Sequence, residues 1–346
     1  MTDSTAYTVS GRWLKVLLEL VRQQGLDPGP WLLSSGDDLS VVEQERAPFA
    51  LEQAIFRELE AAAPQFGAVV GKASSSGTLP RFHFLLASSA TLGDALDALI
   101  RMSPAINSGY RFVRTRRDEG EEIAVVQVAP GDEILPVHAE FSVLRLISLA
   151  AGATATTTER GVEPVLLTFR HSERRGSPQV REQWAERLRF GQLRNAVVFR
   201  AVDLARRCTQ AEPRLGQVLH EAIDAEVKRL PAPSLEARVH SELAIALSFD
   251  CPEADQIAGK LGVAPRTMTR QLTEAGTSFT KLRMTLRMER ARSYLRGGET
   301  AAAVTPLAFY SEVSAFCRAY RQHFGHPPSF DQPPSFDQAP SFDQPL

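Results

Sequence analysis

Four residues in one short stretch carry side chains suited to hydrogen bonding with base edges: Arg266, Thr267, Thr269 and Arg270. Arginine presents a planar fork of donors that fits guanine bidentately, and threonine adds a hydroxyl and a methyl for neighbouring edges or phosphates. The spacing is as informative as the types. On a helix, Met268 and Leu272 between them would face inward and leave the arginines outward. Just upstream, Ala254-Asp-Gln-Ile-Ala-Gly-Lys-Leu reads as a short helix, Gly262-Val-Ala as a turn and Pro265 as the first residue of the second helix. Ala258 is small where two helices cross, and Gly262 can take a positive φ. Ile257, Leu261, Val263, Met268 and Leu272 supply a shared core. The pattern is that of a helix-turn-helix whose second helix enters the major groove, although an ordinary helical hairpin has the same local signature.

A second such unit changes the balance. Thr300 to Ala308 predicts a short helix and Ser311 to Phe324 a longer one, with Val313, Phe316, Tyr320 and Phe324 at helical spacing. Ser314 and Arg318 are the counterparts of the first unit's contact residues. Between the units Thr277 to Arg296 predicts one helix, with Phe279, Leu282, Leu286, Ala291 and Leu295 inward and most basic residues outward. Twenty residues at ~1.5 Å rise span ~30 Å, close to the ~34 Å of one DNA turn. The formal net charge of -2 hides a local excess of +7 from Lys260 to Arg296, where nine basic residues face only Glu274 and Glu289. A solvated helix face would also show such a run; clustered on helices, it is the footprint of a phosphate-binding surface.

A different chemistry is suggested earlier in the chain. His83, Tyr110, His138, Phe141 and Arg145 mix aromatic, polar and cationic groups as the lining of a small-molecule pocket does, and Arg145 suits a carboxylate. Signatures of catalysis are missing: there is no Gly-x-Ser-x-Gly, Gly-x-x-x-x-Gly-Lys or Cys-x-x-Cys, and His220-Glu-Ala-Ile-Asp lacks a second histidine for zinc. The sequence therefore predicts no enzyme, no cofactor and no metal.

These residues need elements to hold them. Leu51 to Ala63, Thr91 to Met102 and His138 to Ala151 read as helices, with Thr91 as an N-cap. Tyr110 to Thr115 and Ile123 to Val128 read as paired strands around a polar turn, Arg116 to Glu122, and Val165 to Phe169 and Ala196 to Phe199 as further strands. After about Asp203 no strand is expected. Pro213 to Leu230 is an amphipathic helix stopped by Pro231 and Pro233, and Ser234 caps the next. The fold class is α+β: a mixed sensing domain over 1–205, a helical linker and possible dimerisation segment over 206–240, and an all-α domain over 241–326. Over 327–346 the hexapeptide Pro-Pro-Ser-Phe-Asp-Gln is repeated, which predicts a disordered tail. The 43% hydrophobic and 23% charged composition is that of a globular chain. No run approaches ~18 apolar residues, since Asp94 and Asp97 break Phe82 to Ile100, and Met1 to Ser10 lacks a basic region, so no membrane partner and a cytoplasmic site are expected. Three scattered cysteines, Cys208, Cys251 and Cys317, fit a reducing compartment.

Residues 254–330 resemble the DNA-binding domain of the AraC/XylS family of bacterial transcription regulators. The matching stretches are Ala258 to Leu272, Gly276-Thr-Ser-Phe, Arg287-Met-Glu-Arg-Ala-Arg-Ser-Tyr-Leu, Ser314-Ala-Phe-Cys-Arg-Ala-Tyr and Gly325-His-Pro-Pro-Ser-Phe. The part from Gly25-Leu-Asp-Pro through Thr91-Leu-Gly-Asp-Ala-Leu to Val202 is similar to the arabinose-binding-like effector domain of one branch of that family. The resemblance implies an activator controlled by a small-molecule effector, binding double-stranded promoter DNA, acting with RNA polymerase and working as a homodimer. The helices over 213–248 would carry the dimer contact or an interdomain lock, or complete the sensing domain's core. One stretch departs from the family: Val304-Thr-Pro-Leu-Ala-Phe-Tyr places Phe309 at the turn glycine and Pro306 inside a helix, where proline can cost ~3 kcal/mol. That departure motivates an alternative, a small-molecule-binding or antiactivator protein with a degenerate DNA-binding domain.

Overall fold

The computed structural model describes residues 7–34, 39–71, 80–131, 133–156 and 160–333. In chain order the elements are β1 (Thr8–Ser10), α1 (Gly11–Gln23), α2 (Gly29–Ser34), β2 (Arg46–Pro48), α3 (Phe49–Ala62), α4 (Phe66–Gly71), α5 (Pro80–Ser88), α6 (Leu92–Ile106), β3 (Tyr110–Arg117), β4 (Gly120–Gln127), α7 (Pro136–Thr154), β5 (Leu166–Thr168), α8 (Pro178–Trp184), β6 (Leu188–Arg189), β7 (Asn195–Phe199) and α9 (Ala201–Leu204). Then follow α10 (Pro213–Arg229), α11 (Leu235–Ala246), α12 (Ala254–Leu261), α13 (Pro265–Glu274), α14 (Phe279–Arg296), α15 (Ala301–Leu307) and α16 (Val313–Phe324). The chain divides into two units, Met1–Arg283 and Met284–Leu346.

In the first unit, β-branched and aromatic residues favour the strands β3 and β4, which pair along their full length, Tyr110 opposite Gln127 and Arg117 opposite Gly120. The connection is thus only Asp118 and Glu119, shorter than the polar turn expected from the sequence. The sheet order is β3-β4-β7-β5-β6, antiparallel except for the parallel pair β5–β6. Thr91 and Asp94 form a capping box at the start of α6: the Thr91 hydroxyl accepts from the Asp94 amide at 3.2 Å, and Asp94 accepts from the Thr91 amide at 3.1 Å. Helix α7 is apolar around most of its circumference because it separates two cores. Val143, Leu146 and Ile147 pack with α6 and the sheet, and Val137 and Phe141 pack with Leu14, Leu17, Ile55 and Phe56.

A close helix crossing fixes α7 in place. Gly67 and Gly71 lie one turn apart on α4, and a Cβ at Gly67 would stand 2.2 Å from the Val137 carbonyl oxygen and 2.8 Å from the Phe141 amide nitrogen. Both obstacles are backbone, so the helices would have to part. Gly67→Ala is expected to destabilise the first unit by about 1 to 3 kcal/mol or more, read as a lowered denaturation midpoint. An unchanged midpoint would show that the crossing has slack.

Helix α10 contributes inward to the first unit. Ile223 is buried among Leu85, Ala98, Met102 and Ala105 of α5 and α6, with Leu219 and Val227 alongside. Its Leu219–Ile223 stripe therefore packs into the core of the first unit. Ser234 caps α11, accepting from the Ala237 amide at 3.2 Å. Helix α11 docks on the sheet and on the N-terminal strand. The Tyr7 hydroxyl donates to the Ala237 carbonyl at 3.3 Å and Arg194 to the Ser248 carbonyl at 2.6 Å. Among the described residues no strand follows β7.

In the second unit Met288, Leu295, Val304, Phe316 and Tyr320 form the core. Val313, at helical spacing with Phe316 and Tyr320, is 42% exposed; it is the first residue of α16. Thr300 caps α15 by accepting from the Ala303 amide at 3.2 Å. Residues 327–333, which the sequence assigns to the tail, include a helical turn at Pro328–Phe330. Asp331 accepts from Tyr320 at 2.6 Å and from Arg296 at 3.0 Å, so the first copy of the hexapeptide is seated on the unit. The other copies, apart from Pro333, lie outside the described residues.

Candidate nucleic-acid interface and effector cavity

Glu253 and Gln256 close a capping box at the start of α12, Gly262 ends it with φ 66°, and Pro265 opens α13. With Met268 and Leu272 buried, the opposite face of α13 carries Arg266 and Arg270, both exposed. Thr269 is exposed but donates its hydroxyl to the Pro265 carbonyl at 3.0 Å, and Thr267 is half-buried at the flank. Thr273, not singled out in the sequence, shares the outer face, with its hydroxyl on the Thr269 carbonyl at 2.9 Å. Arg270 approaches Glu274 at 3.7 Å with both side chains more than 60% exposed, a contact worth little in water. The second unit repeats the pattern: Phe316 and Tyr320 are buried, and Ser314, Arg318 and Arg321 are exposed. Arg321 was legible by spacing, three residues beyond Arg318.

The basic face expected along α14 is largely absent. Arg283 donates to the Pro252 carbonyl at 2.9 Å and pairs with Glu253 at 2.9 Å. Arg287 donates to the Ala308 and Phe309 carbonyls at 2.9 and 2.7 Å and lies 4.3 Å over the Tyr310 ring. Arg290 is buried, Arg292 lies 4.4 Å over Phe324, and Arg296 holds Asp331. These arginines satisfy carbonyls at element ends and cover rings, which leaves Lys281 and Arg296 as the exposed bases of the helix. Arg287 also supports the atypical turn. Phe309 is the one non-glycine with positive φ, 58°, among the described residues, and its carbonyl is one of the two that Arg287 binds.

In the first unit Tyr110, His138, Phe141 and Arg145 line one cavity of ≈ 130 Å³. Four of the five pocket candidates thus meet; the side chain of His83 lies outside the described residues. The cavity has a polar residue that sequence reasoning missed. Glu52 of α3 is 1% exposed and accepts hydrogen bonds from the Trp13 indole and the Asn107 amide. Burial outweighs those two donors and pushes its carboxyl up to about 7. The signal was available: Glu52 precedes Ile55, Phe56 and Leu59 by three, four and seven residues, a charge on the apolar stripe of a helix. His138 stacks on Phe56 at 3.8 Å and shares a hydrogen bond with the Tyr110 hydroxyl at 3.1 Å; burial drives its imidazole down to about 3, so it is neutral. Burial also lowers Arg145 and raises Tyr110.

From Glu52 a continuous run of hydrogen bonds leads to α11. The Asn107 side-chain oxygen accepts from the Gly109 amide at 2.8 Å, and the Gly109 carbonyl accepts from the Val128 amide at 2.8 Å. The Val128 carbonyl in turn accepts from His240 Nδ1 at 3.0 Å. His240 is buried on α11, the helix that packs against α12 and α13. Among the described residues no group of three or more His, Cys, Asp or Glu is disposed to hold a metal ion, and no helix is long and apolar enough to cross a membrane.

The family model for the N-terminal arabinose-binding domain of the AraC transcription regulator matches residues 25–208, more than half of the chain, and a helix-turn-helix domain matches residues 257–330. The HTH-type transcriptional regulator VirS of Mycobacterium tuberculosis is 26% identical over 331 residues, covering 90% of this chain and 92% of its own. An uncharacterized HTH-type transcriptional regulator of Mycobacterium bovis is 39% identical over 79 residues, 22% of this chain and 23% of its own. Among solved structures, the transcriptional regulator CdpR from Pseudomonas aeruginosa aligns with 92% of this chain and 97% of its own at 17% identity and a TM-score of 0.42. Fold and site define a class, the DNA-binding helix-turn-helix transcriptional regulators with an N-terminal domain of arabinose-binding type. More narrowly, the chain belongs to the AraC/XylS family.

Proposed function

We propose that this protein is a cytoplasmic, sequence-specific activator that binds double-stranded promoter DNA as a homodimer, acts with RNA polymerase, performs no covalent chemistry and is controlled by a small molecule held in the first unit's cavity. The observation that carries the reading is the recurrence of one face on two helices: Arg266, Arg270 and Thr273 outside Met268 and Leu272, then Ser314, Arg318 and Arg321 outside Phe316 and Tyr320. Arg266 and Arg270 contact bases, Thr267 and Thr269 assist at neighbouring edges or phosphates, and Ser314 and Arg318 serve the second unit. Tyr110, His138, Phe141 and Arg145 form the effector's walls, with His83 assigned to the same group by sequence alone. The hydrogen-bond run from Glu52 to His240 gives occupancy a route to the helix that carries α12 and α13; a ligand shifts DNA affinity to the extent that it binds one arrangement more tightly.

A mobility shift on the protein's own upstream region tests the reading. Arg270→Ala is expected to cost about 1 to 3 kcal/mol of binding and to relax preference at one base position. An equal loss on all sequences would make Arg270 a phosphate contact. The second reading, a small-molecule-binding or antiactivator protein with a degenerate DNA-binding domain, is motivated by Pro306 and Phe309. Against it, α15 still forms around Pro306 and Phe309 adopts the turn. Absence of any salt-sensitive, sequence-preferring shift would favour this second reading.

A further inference from the structure

We propose that the cavity takes a small, mostly apolar molecule, one ring or a short chain in size, whose single hydrogen-bond donor sits on Glu52, and that it excludes polyols such as arabinose. This rests on reading the cavity as the effector site and adds the ligand's chemistry.

Size sets the first limit. The cavity measures ≈ 130 Å³, and an apolar cavity of roughly 150 Å³ holds a ligand of benzene's size. The lining sets the second. Leu20, Val70, Leu86, Leu99, Leu146 and Leu149 offer a sugar's hydroxyls no partner, and a buried hydroxyl without one is strongly disfavoured.

Ser142 and Arg145 also line the cavity, and Arg145 has a partner; most of the other polar groups at the wall are committed already. Both ends of the Asn107 amide are in use, to Glu52 and to the Gly109 amide. Tyr110 and His138 bond each other, the Ser103 hydroxyl donates to the Ile100 carbonyl at 3.1 Å, and the Trp13 indole donates to Glu52. Glu52 differs in kind. Each of its oxygens accepts one hydrogen bond, from Trp13 and from Asn107, whereas an ionised carboxylate has about four acceptor sites. What remains there is capacity to accept, so the complementary ligand must donate. Against the ionised carboxylate, a carbonyl or ether at that position would set acceptor against acceptor, whereas the protonated carboxyl can donate to one.

The choice between donor and acceptor also predicts a pH dependence. A donor favours the ionised carboxylate, so it binds more tightly as Glu52 loses its proton. The charged or titratable groups sharing the cavity are Tyr110, His138 and Arg145; burial keeps His138 neutral and raises Tyr110, so neither of these two changes state near neutrality.

Calorimetric titration of the full chain with cyclohexanol, cyclohexanone and L-arabinose tests the inference. At pH 8, with the carboxylate ionised, cyclohexanol is expected to bind at least tenfold more tightly than cyclohexanone and arabinose to give no binding heat, and the alcohol's affinity is expected to rise between about pH 6 and pH 8. Glu52→Gln should abolish both the alcohol's preference and its pH dependence. The wild-type pH series stands by itself if that variant does not fold. Binding of arabinose, equal binding of alcohol and ketone at pH 8, or no binding of any probe at millimolar concentration would overturn the inference. Each titration is read without DNA, whereas the regulator reading fails in the mobility shift, so the two failures are separate.

Discussion

Phe316→Ala is expected to unfold most of the C-terminal unit while leaving the cavity's binding heats intact. Phe316 is 0% exposed and packs among Met288, Leu295, Val304 and Tyr320, with ring contacts to Tyr310 at 5.9 Å and Tyr320 at 5.7 Å. Emptying such a site costs about 3 to 5 kcal/mol. A unit of this length, at ~0.05 to 0.15 kcal/mol per residue, holds only a few kcal/mol in total. The unit also bears strain at Phe309, whose left-handed φ costs a non-glycine residue ~1 to 2 kcal/mol. Limited proteolysis should therefore cut the variant between residues 300 and 324 where the parent chain resists. Resistance equal to the parent's would mean that Tyr320 and Leu295 hold the unit without the ring.

Local signals explain what the sequence shows directly. Thr91 with Asp94 announces α6, Gly262 with Pro265 announces the break between α12 and α13, and β-branched and aromatic residues flanking a polar turn announce the hairpin of β3 and β4, because each depends on residues close together in sequence. The α13 face was legible for the same reason: inward Met268 and Leu272 determine where Arg266 and Arg270 point. What was not legible depends on partners far away in sequence. Nothing near Arg287 reveals that the Ala308 and Phe309 carbonyls will need donors, so a row of bases that looked like a phosphate face is instead partly structural. Leu219 and Ile223 read as an amphipathic stripe, but the stripe does not say whether a second copy or α6 covers it. Asp331 became an anchor because Tyr320 and Arg296 converge on it, a relation that the repeat's composition conceals.

Glu52 is expected to make the first unit less stable as the solution becomes more basic. Its carboxyl lies at about 7 in the folded chain against an ordinary 4.5, so between those values the folded state holds a proton that the unfolded chain has released. Stability contributed by that proton is complete below about 4.5, falls as pH rises through about 7 and is then constant, because the slope follows the difference in bound protons. At ~1.4 kcal/mol per pH unit the whole effect is on the order of 3 kcal/mol. The cause is desolvation of the charge, which the Trp13 and Asn107 donors oppose but do not cancel. Neighbours do not produce the same slope: Tyr110 is raised above its usual value, and His138, held down at about 3, works in the opposite direction, as does His240, also lowered by burial, because the unfolded chain binds their protons up to an ordinary 6.5. Glu122, also raised by burial, contributes in the same direction, so the diagnostic quantity is the difference between the parent and Glu52→Gln. With denaturant midpoints measured from about pH 5 to pH 8, the parent should lose ground to the variant as pH rises through about 7, whatever slope the two share from the other groups. The variant sets an amide nitrogen against one of the two donors and loses a hydrogen bond at every pH, which shifts its curve by a constant and adds no slope. Parallel curves over that range would place the Glu52 carboxyl at an ordinary pKa and remove the titrating group from the cavity wall.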